Sequence, residues 1–149
     1  MFLNIYSKGK YPADALSNFA SHPFDFDGFE GIQSMEGLSQ SPKFEDIQMQ
    51  QEVLFKSGRE ANECGRKQAW HDVLYWKGKP MKRCSKEYTQ FIERAYDSMF
   101  ENEGFREALK ASKRKILVHT IGKTRRSKTV LTWWEFCGNL NGLRKKIYH

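Results

Sequence analysis

The chain has 149 residues, 39% hydrophobic and 14% aromatic, which is enough for one domain with a real core and leaves little room for a second. No run nears the roughly 18 apolar residues that a membrane span needs, and Met1-Phe2-Leu3-Asn4-Ile5-Tyr6 lacks a basic region followed by an apolar stretch, so a cytoplasmic location without membrane attachment is expected. The formal charge of +7 is uneven, because from Arg106 onward twelve Lys or Arg stand against Glu107 and Glu135.

In chain order, Phe2 to Ile5 reads as a short strand, and Pro23 to Phe26 alternates apolar with polar before the turn-forming Asp27-Gly28, which predicts a strand entering a hairpin or a bend. The segment from Ser34 to Phe44 places Glu36 seven residues before Lys43. Seven residues is two helical turns, so in a helix both groups lie on one face and could bracket a small substrate. After Pro42, the positions Ile47, Gln50, Gln51, Leu54 and Phe55 follow a helical period; Ala61, Cys64 and Gly65 continue it past a break at Ser57-Gly58. The clearest helix runs from Lys86 to Phe100 behind a Ser85 cap, with Tyr88, Phe91, Ile92, Ala95, Tyr96, Met99 and Phe100 on one face. An aromatic stripe at this spacing predicts core. A short helix from Phe105 to Lys110 and a buried or extended Ile116-Leu117-Val118-His119 follow. Thr132-Trp133-Trp134-Glu135 is a capping box, flanked by Leu131 and Phe136 as a hydrophobic staple, and Phe136, Leu140, Leu143 and Ile147 mark the buried face of the last helix. Together these elements predict an α+β fold, a single compact, mainly helical domain spanning residues 1–149 with a small N-terminal β element.

Cys64, Cys84 and Cys137 are irregularly spaced and odd in number, so free thiols are expected, with Cys64 and Cys137 as small core residues. His22, His71, His119 and His149 make no ligand spacing, which argues against a metal; His119, in an apolar run, reads as a core histidine. No Gly-rich phosphate loop is present, and no cofactor is expected.

Chemistry on a sugar suits Glu36, because glycosidic cleavage passes through an oxocarbenium-like state that a nearby carboxylate stabilises, or whose attacking water it activates. Lys43 complements it, either as a point charge on a pyrophosphate or, if desolvated, as an amine nucleophile toward the C1 aldehyde of an opened sugar. The basic clusters Lys113-Arg114-Lys115, Lys123 to Lys128 and Arg144-Lys145-Lys146 favour a polyanionic partner, since each neutralised phosphate releases counterions. A solvated, solubilising surface accounts for the same charge without a partner. Lys77, Lys79, Lys82 and Arg83 add further positive charge between Trp76 and the Tyr88 helix.

The ordered set Leu16-Ser17-Asn18-Phe19, Asp27-Gly28, Ser34-Met35-Glu36, Gln40, Lys43-Phe44, Ala61, Gly65-Arg66 and Trp76 resembles the NADAR family, whose members include the YbiA-like N-glycosidases. The likeness covers nearly the whole chain, and His119 to Gly122, Thr129 to Thr132, Glu135 to Cys137 and Leu143-Arg144 are similar to a bacteriophage branch. The resemblance implies a YbiA-like N-glycosidase fold with Glu36 as catalytic carboxylate and Lys43 as the pocket lysine, able to form a Schiff base with the opened ribose. It also implies that Asn18, Phe19 and Gln40 shape the sugar or phosphate site, that Gly65 and Arg66 lie near it, and that Trp76 stacks on the base. Without that likeness, Asn18 is a turn residue, Trp76 core and Arg66 a helix-end cation. The chain departs from the family pattern in having no Asp beyond Asp97 and in offering Thr129 or Thr132 where an asparagine is usual. The leading expectation is removal of ADP-ribose from modified guanine in DNA or RNA, so that the partner is an ADP-ribosylated nucleic acid or nucleotide, with reversal of a host defence as the biological role. A small ribosylamino metabolite as substrate, or a silent module binding ADP-ribose or nucleic acid, are the alternatives.

Overall fold

In the computed structural model, which describes residues 1–148, short two-stranded ribbons are set among helices. The order is β1 (Phe2–Asn4), α1 (Ala13–Leu16), β2 (Phe24–Phe26), β3 (Phe29–Ile32), α2 (Met35–Gln40), α3 (Ile47–Leu54), α4 (Gly58–Lys67), β4 (Val73–Trp76), β5 (Lys79–Lys82), α5 (Lys86–Met99), α6 (Glu103–Ala111), β6 (Ile116–Val118) and α7 (Trp133–Ile147). The architecture is α+β and mainly helical, as expected. The β structure is wider than an N-terminal element, however. Strands β2 and β3 pair antiparallel, β4 and β5 form a second hairpin, and β1 pairs in parallel with β6 from the far end of the chain.

Both hairpins close on a two-residue turn whose central residues have positive φ, Asp27 at 50° with Gly28 at 86°, and Lys77 at 52° with Gly78 at 84°. Such a turn matches the right-handed twist of the strands it joins, and it favours Asp or Asn followed by Gly. Asp-Gly announced the first hairpin. The second was hidden because lysine is a poor occupant of left-handed backbone. Lys77 is held there by its surroundings, since its amide donates to Gln50 Oε1 at 3.1 Å and its ammonium to the Asp27 carbonyl. The two turns are thereby tied together.

Helix α5 carries the core. Tyr88, Phe91, Ile92, Ala95, Tyr96 and Met99 are all buried, and Ser85 caps the helix by accepting from the Tyr88 amide at 3.1 Å. The same core holds Phe26, Trp76 and Met81 from the hairpins, Phe105 and Leu109 from α6, and Phe136, Leu140 and Leu143 from α7. The capping box at the start of α7 forms as its sequence predicts, with Thr132 Oγ1 accepting from the Glu135 amide and the Glu135 carboxylate accepting from the Thr132 amide. Among the cysteines, Cys137 is buried, Cys64 half-buried and Cys84 exposed, all as free thiols.

Arg83 stands apart from the other cations of its segment, because it is buried where Lys77, Lys79 and Lys82 are exposed. It is only 2% exposed. Its Nε donates to the Thr129 carbonyl at 2.7 Å and its Nη2 to Glu135 Oε1 at 2.5 Å. Burial pushes the Glu135 carboxyl up, but hydrogen bonds from Arg83 and Thr132 more than offset this and hold it below the usual glutamate range. One guanidinium thus fastens the loop before α7 to the second hairpin. Replacing one member of a buried pair leaves the other charge unpaired, at a cost of about 3–5 kcal/mol. Arg83→Met is therefore expected to lower unfolding free energy in urea by about 3 kcal/mol, whereas Lys82→Met on the exposed side of β5 should stay within about 0.5 kcal/mol of the parent.

Candidate active site

Helix α2 is short, and every residue in it is buried. Ser34 starts it by accepting from the Gly37 amide at 3.1 Å, and it presses so closely on α3 that a Cβ at Gly37 would stand 2.6 Å from the Leu54 carbonyl oxygen. After Gln40 the chain tightens into a 3-10 turn over Ser41–Lys43 that includes Pro42. The two continuous α-turns expected from the Glu36 and Lys43 spacing are thus one α-helix plus one tighter turn. Both side chains nevertheless line one cavity of about 360 Å³.

Glu36 is 8% exposed, and its Oε2 accepts from Gln40 Nε2 at 2.9 Å and from Asn62 Nδ2 at 2.8 Å. Burial raises its pKa, with the two amides and the nearby Lys43 charge working in the opposite direction. The amide donors stabilise the anion that burial disfavours. Lys43 donates to the Gly65 carbonyl at 3.0 Å, and burial lowers its pKa despite the pull of Glu36. Gly65 serves both partners. An added Cβ there would fall 1.9 Å from Gln40 Oε1, so only glycine admits the amide that orients Glu36, while its carbonyl holds Lys43.

Asn18 is fixed from two directions. Its Oδ1 accepts from the Tyr96 hydroxyl at 2.7 Å, and its carbonyl accepts from the Glu36 amide at 3.0 Å. Asn18, Phe19, Gln40, Arg66 and Thr129 all line the cavity with Glu36 and Lys43. Gly58 allows the Phe19 segment to settle on the start of α4, where a Cβ would lie 2.5 Å from the Phe19 Cα. Trp76 is not brought to the cavity. It is 8% exposed, packs 5.0 to 5.7 Å from Phe91, Phe26 and Phe29, and donates to Asp27 Oδ2 at 2.9 Å. The indole is a core residue here, because the hairpin that carries it folds onto α5, away from Glu36.

Two positions at the site escaped the sequence reading. Asn62 carried no motif, although it stands one turn before Arg66 on α4, and that polar i, i+4 pair beside Gly65 was the available signal. His119 was read as core, yet it lines the cavity; its Nδ1 donates to the Ile5 carbonyl at 2.6 Å and its ring meets Phe136 edge-on. Lys123 and Lys128 complete the mouth. With Lys43 and Arg66 they make four cations around Glu36, which is the one carboxylate among the described lining residues. Among the described residues no group of His, Cys, Asp or Glu could hold a metal ion, and no helix is long and apolar enough to cross a membrane.

Because folding raises the Glu36 pKa, the folded chain binds a proton more tightly than the unfolded chain. That contribution is fully present below the unfolded value of about 4.3 and is lost as pH rises through the folded value. Glu36→Gln keeps the shape and removes the buried charge. At pH 7.5 the variant is expected to melt at a higher temperature than the parent, and the gap should close as the pH is lowered toward 4, as followed by circular dichroism.

Residues 10–145 match the family described as bacteriophage protein GP30.3. The chain is 37% identical over 150 residues to a 17.1 kDa protein from the Gp30-rIII intergenic region of Enterobacteria phage T4, covering 97% of this chain and 98% of that one. It is also similar in structure to the E. coli protein YbiA, determined by NMR, with a TM-score of 0.66 and 22% identity over 98% of this chain and 84% of YbiA. The likeness to YbiA is one of fold, and it agrees with the phage-type YbiA-like resemblance carried by the motifs. The chain belongs to the bacteriophage GP30.3 family and has a YbiA-like fold.

Proposed function

We propose that the chain is an N-glycosidase that hydrolyses the bond between a ribose C1′ and a base nitrogen, acting on ADP-ribose attached to guanine in DNA or RNA. The observation that carries this reading is a buried carboxylate, oriented by two amides, at the floor of a cavity otherwise ringed by cations. A binding site for an anion alone gains nothing from a buried glutamate, which repels the ligand and costs desolvation. A reaction that develops positive charge beside phosphates needs both. The cavity volume lies near the low end of the range of about 300–1000 Å³ for small-molecule sites, which suits the reacting sugar and adjoining phosphates, with the rest of a conjugate in the open mouth.

In this scheme the C1′–N bond breaks and its electron pair passes to the base nitrogen. Glu36 stabilises the cationic C1′ and takes a proton from the water that adds there, and the base leaves with a proton from solvent. Lys43, Lys123, Lys128 and Arg66 hold the phosphates. The depressed pKa of Lys43 leaves more of it unprotonated than a surface lysine, so it is also competent to attack the C1 aldehyde of the opened ribose as an amine. In a phage chain such an activity undoes ADP-ribosylation of phage DNA by a host defence.

The test is release of free ADP-ribose from an oligonucleotide carrying ADP-ribosylated guanine, measured by chromatography beside an ADP-ribosylated protein. Release from the oligonucleotide is expected, and Glu36→Gln should lower turnover at least about a hundredfold. Release of the ribose moiety from a small ribosylamino pyrimidine, with no ADP-ribose freed from the oligonucleotide, refutes the nucleic-acid substrate; cleavage of none of these refutes the glycosidase. Since Glu36 must be ionised, the acid limb of kcat/KM should have its midpoint above the ordinary glutamate value of about 4.3, and activity is lost as pH falls through it. Gly65→Ala displaces Gln40 rather than backbone, so the variant should fold yet lose roughly tenfold or more in kcat, much of the contribution of an oriented acid–base group.

A further inference from the structure

The segment between β6 and α7 forms a ridge with a depression on each side. Residues Lys123, Thr124, Arg125, Arg126, Ser127 and Lys128 are all exposed, and no acid interrupts them. Lys123 and Lys128 face the Glu36 cavity. Arg126 instead lines a second groove of about 600 Å³ between α5 and α7, together with Trp134, Ile92 and Leu143. Leu131 lines both depressions and so belongs to the wall between them. Trp134 is 45% exposed, and the Arg126 guanidinium lies 4.9 Å from the centre of its ring.

The geometry points to a path for single-stranded nucleic acid: the modified nucleotide enters the Glu36 cavity, the backbone crosses the Lys123 to Lys128 ridge, and a neighbouring base rests in the second groove against Trp134 and Arg126. This rests on the glycosidase reading for the first step only. Cations along the crest suit phosphates, and base stacking on aromatic rings or guanidinium planes is how single strands are held without sequence choice. Charge also decides which part of a nucleotide the second groove takes. Glu93, Asp97 and Glu135 line it, with Lys146 paired to Asp97 at 3.2 Å. With Asp97 engaged by Lys146 and Glu135 by Arg83, the exposed Glu93 disfavours a phosphate and can accept a hydrogen bond from a base amino group, so a neutral base is the occupant.

The experiment measures fluorescence anisotropy of an unmodified, labelled single-stranded oligonucleotide across a salt series, for the parent, Trp134→Ala and Arg125→Ala. Hydrolysis of ADP-ribosyl guanosine and of the modified oligonucleotide is followed in parallel. Trp134→Ala is expected to weaken strand binding at least about fivefold and to lower kcat/KM on the oligonucleotide by a similar factor, with hydrolysis of the single nucleoside conjugate unchanged. That unchanged activity also shows that the variant folds. Arg125→Ala should make the slope of log affinity against log salt shallower by about 0.7, the value of one phosphate contact on a single strand. Strand binding indifferent to both substitutions overturns the path while leaving the glycosidase reading intact. Strand binding that depends on Trp134, with no hydrolysis of either conjugate, upholds the path and refutes the glycosidase.

Discussion

A carboxylate taken out of water has to be met by donors, or it stays protonated and useless as an anion. Much of the architecture around α2 answers that requirement. One donor, Gln40, comes from the next turn of the same helix, and the other, Asn62, from α4. For α4 to come close enough, position 65 must lack a side chain, and for α2 to be buried on all sides, position 37 must lack one too. The glycines of these helices therefore have no part in flexibility. They set the distance between helices, and through it the charge state of one glutamate.

Elements remote from the cavity hold its walls. Tyr96 on α5 fixes the Asn18 side chain, and the Asn18 carbonyl receives the Glu36 amide. Tyr88 on the same helix donates to the Val130 carbonyl at 2.6 Å, and Arg83, just after β5, grips the carbonyl of Thr129. The opposite wall, residues 129–132, is thus anchored from beneath by buried side chains, while the adjoining 123–128 ridge stays exposed to solvent. A rigid site with a charged, open rim follows from that division.

What the sequence made legible were features whose cause is local. The α5 stripe, the Thr132 and Glu135 capping box, the Asp27-Gly28 hairpin and the Ser57-Gly58 break are short-range patterns with short-range reasons. Glu36 and Lys43 were legible as a pair because seven residues bring side chains round to the same side even when the second turn is 3-10. Other features were not legible, because their causes lie elsewhere in the chain. The second hairpin depends on Gln50 and Asp27 to hold Lys77 in left-handed backbone. Trp76 looked like a stacking residue by motif, and only the docking of its hairpin on α5 reveals it as core. Asn62 lies 26 residues from Glu36, and Arg83 looks like any other lysine-rich-segment cation until Glu135 is seen beside it.

The parallel pairing of β1 with β6 carries a consequence for how the molecule comes into being. Leu3 stands opposite Leu117, the Ile5 amide bonds to Val118, and the Ile5 carbonyl receives His119. Strand β1 therefore waits for a partner more than a hundred residues further along the chain, and contacts of such separation close slowly. Until then Ile5, fully enclosed in the finished molecule, lacks the strand that pairs beside it. The cavity's last wall arrives later still, with residues 121–132. A chain lacking that segment consequently owns the glutamate without its full enclosure, and the site comes into existence only once residues 121–132 are in place.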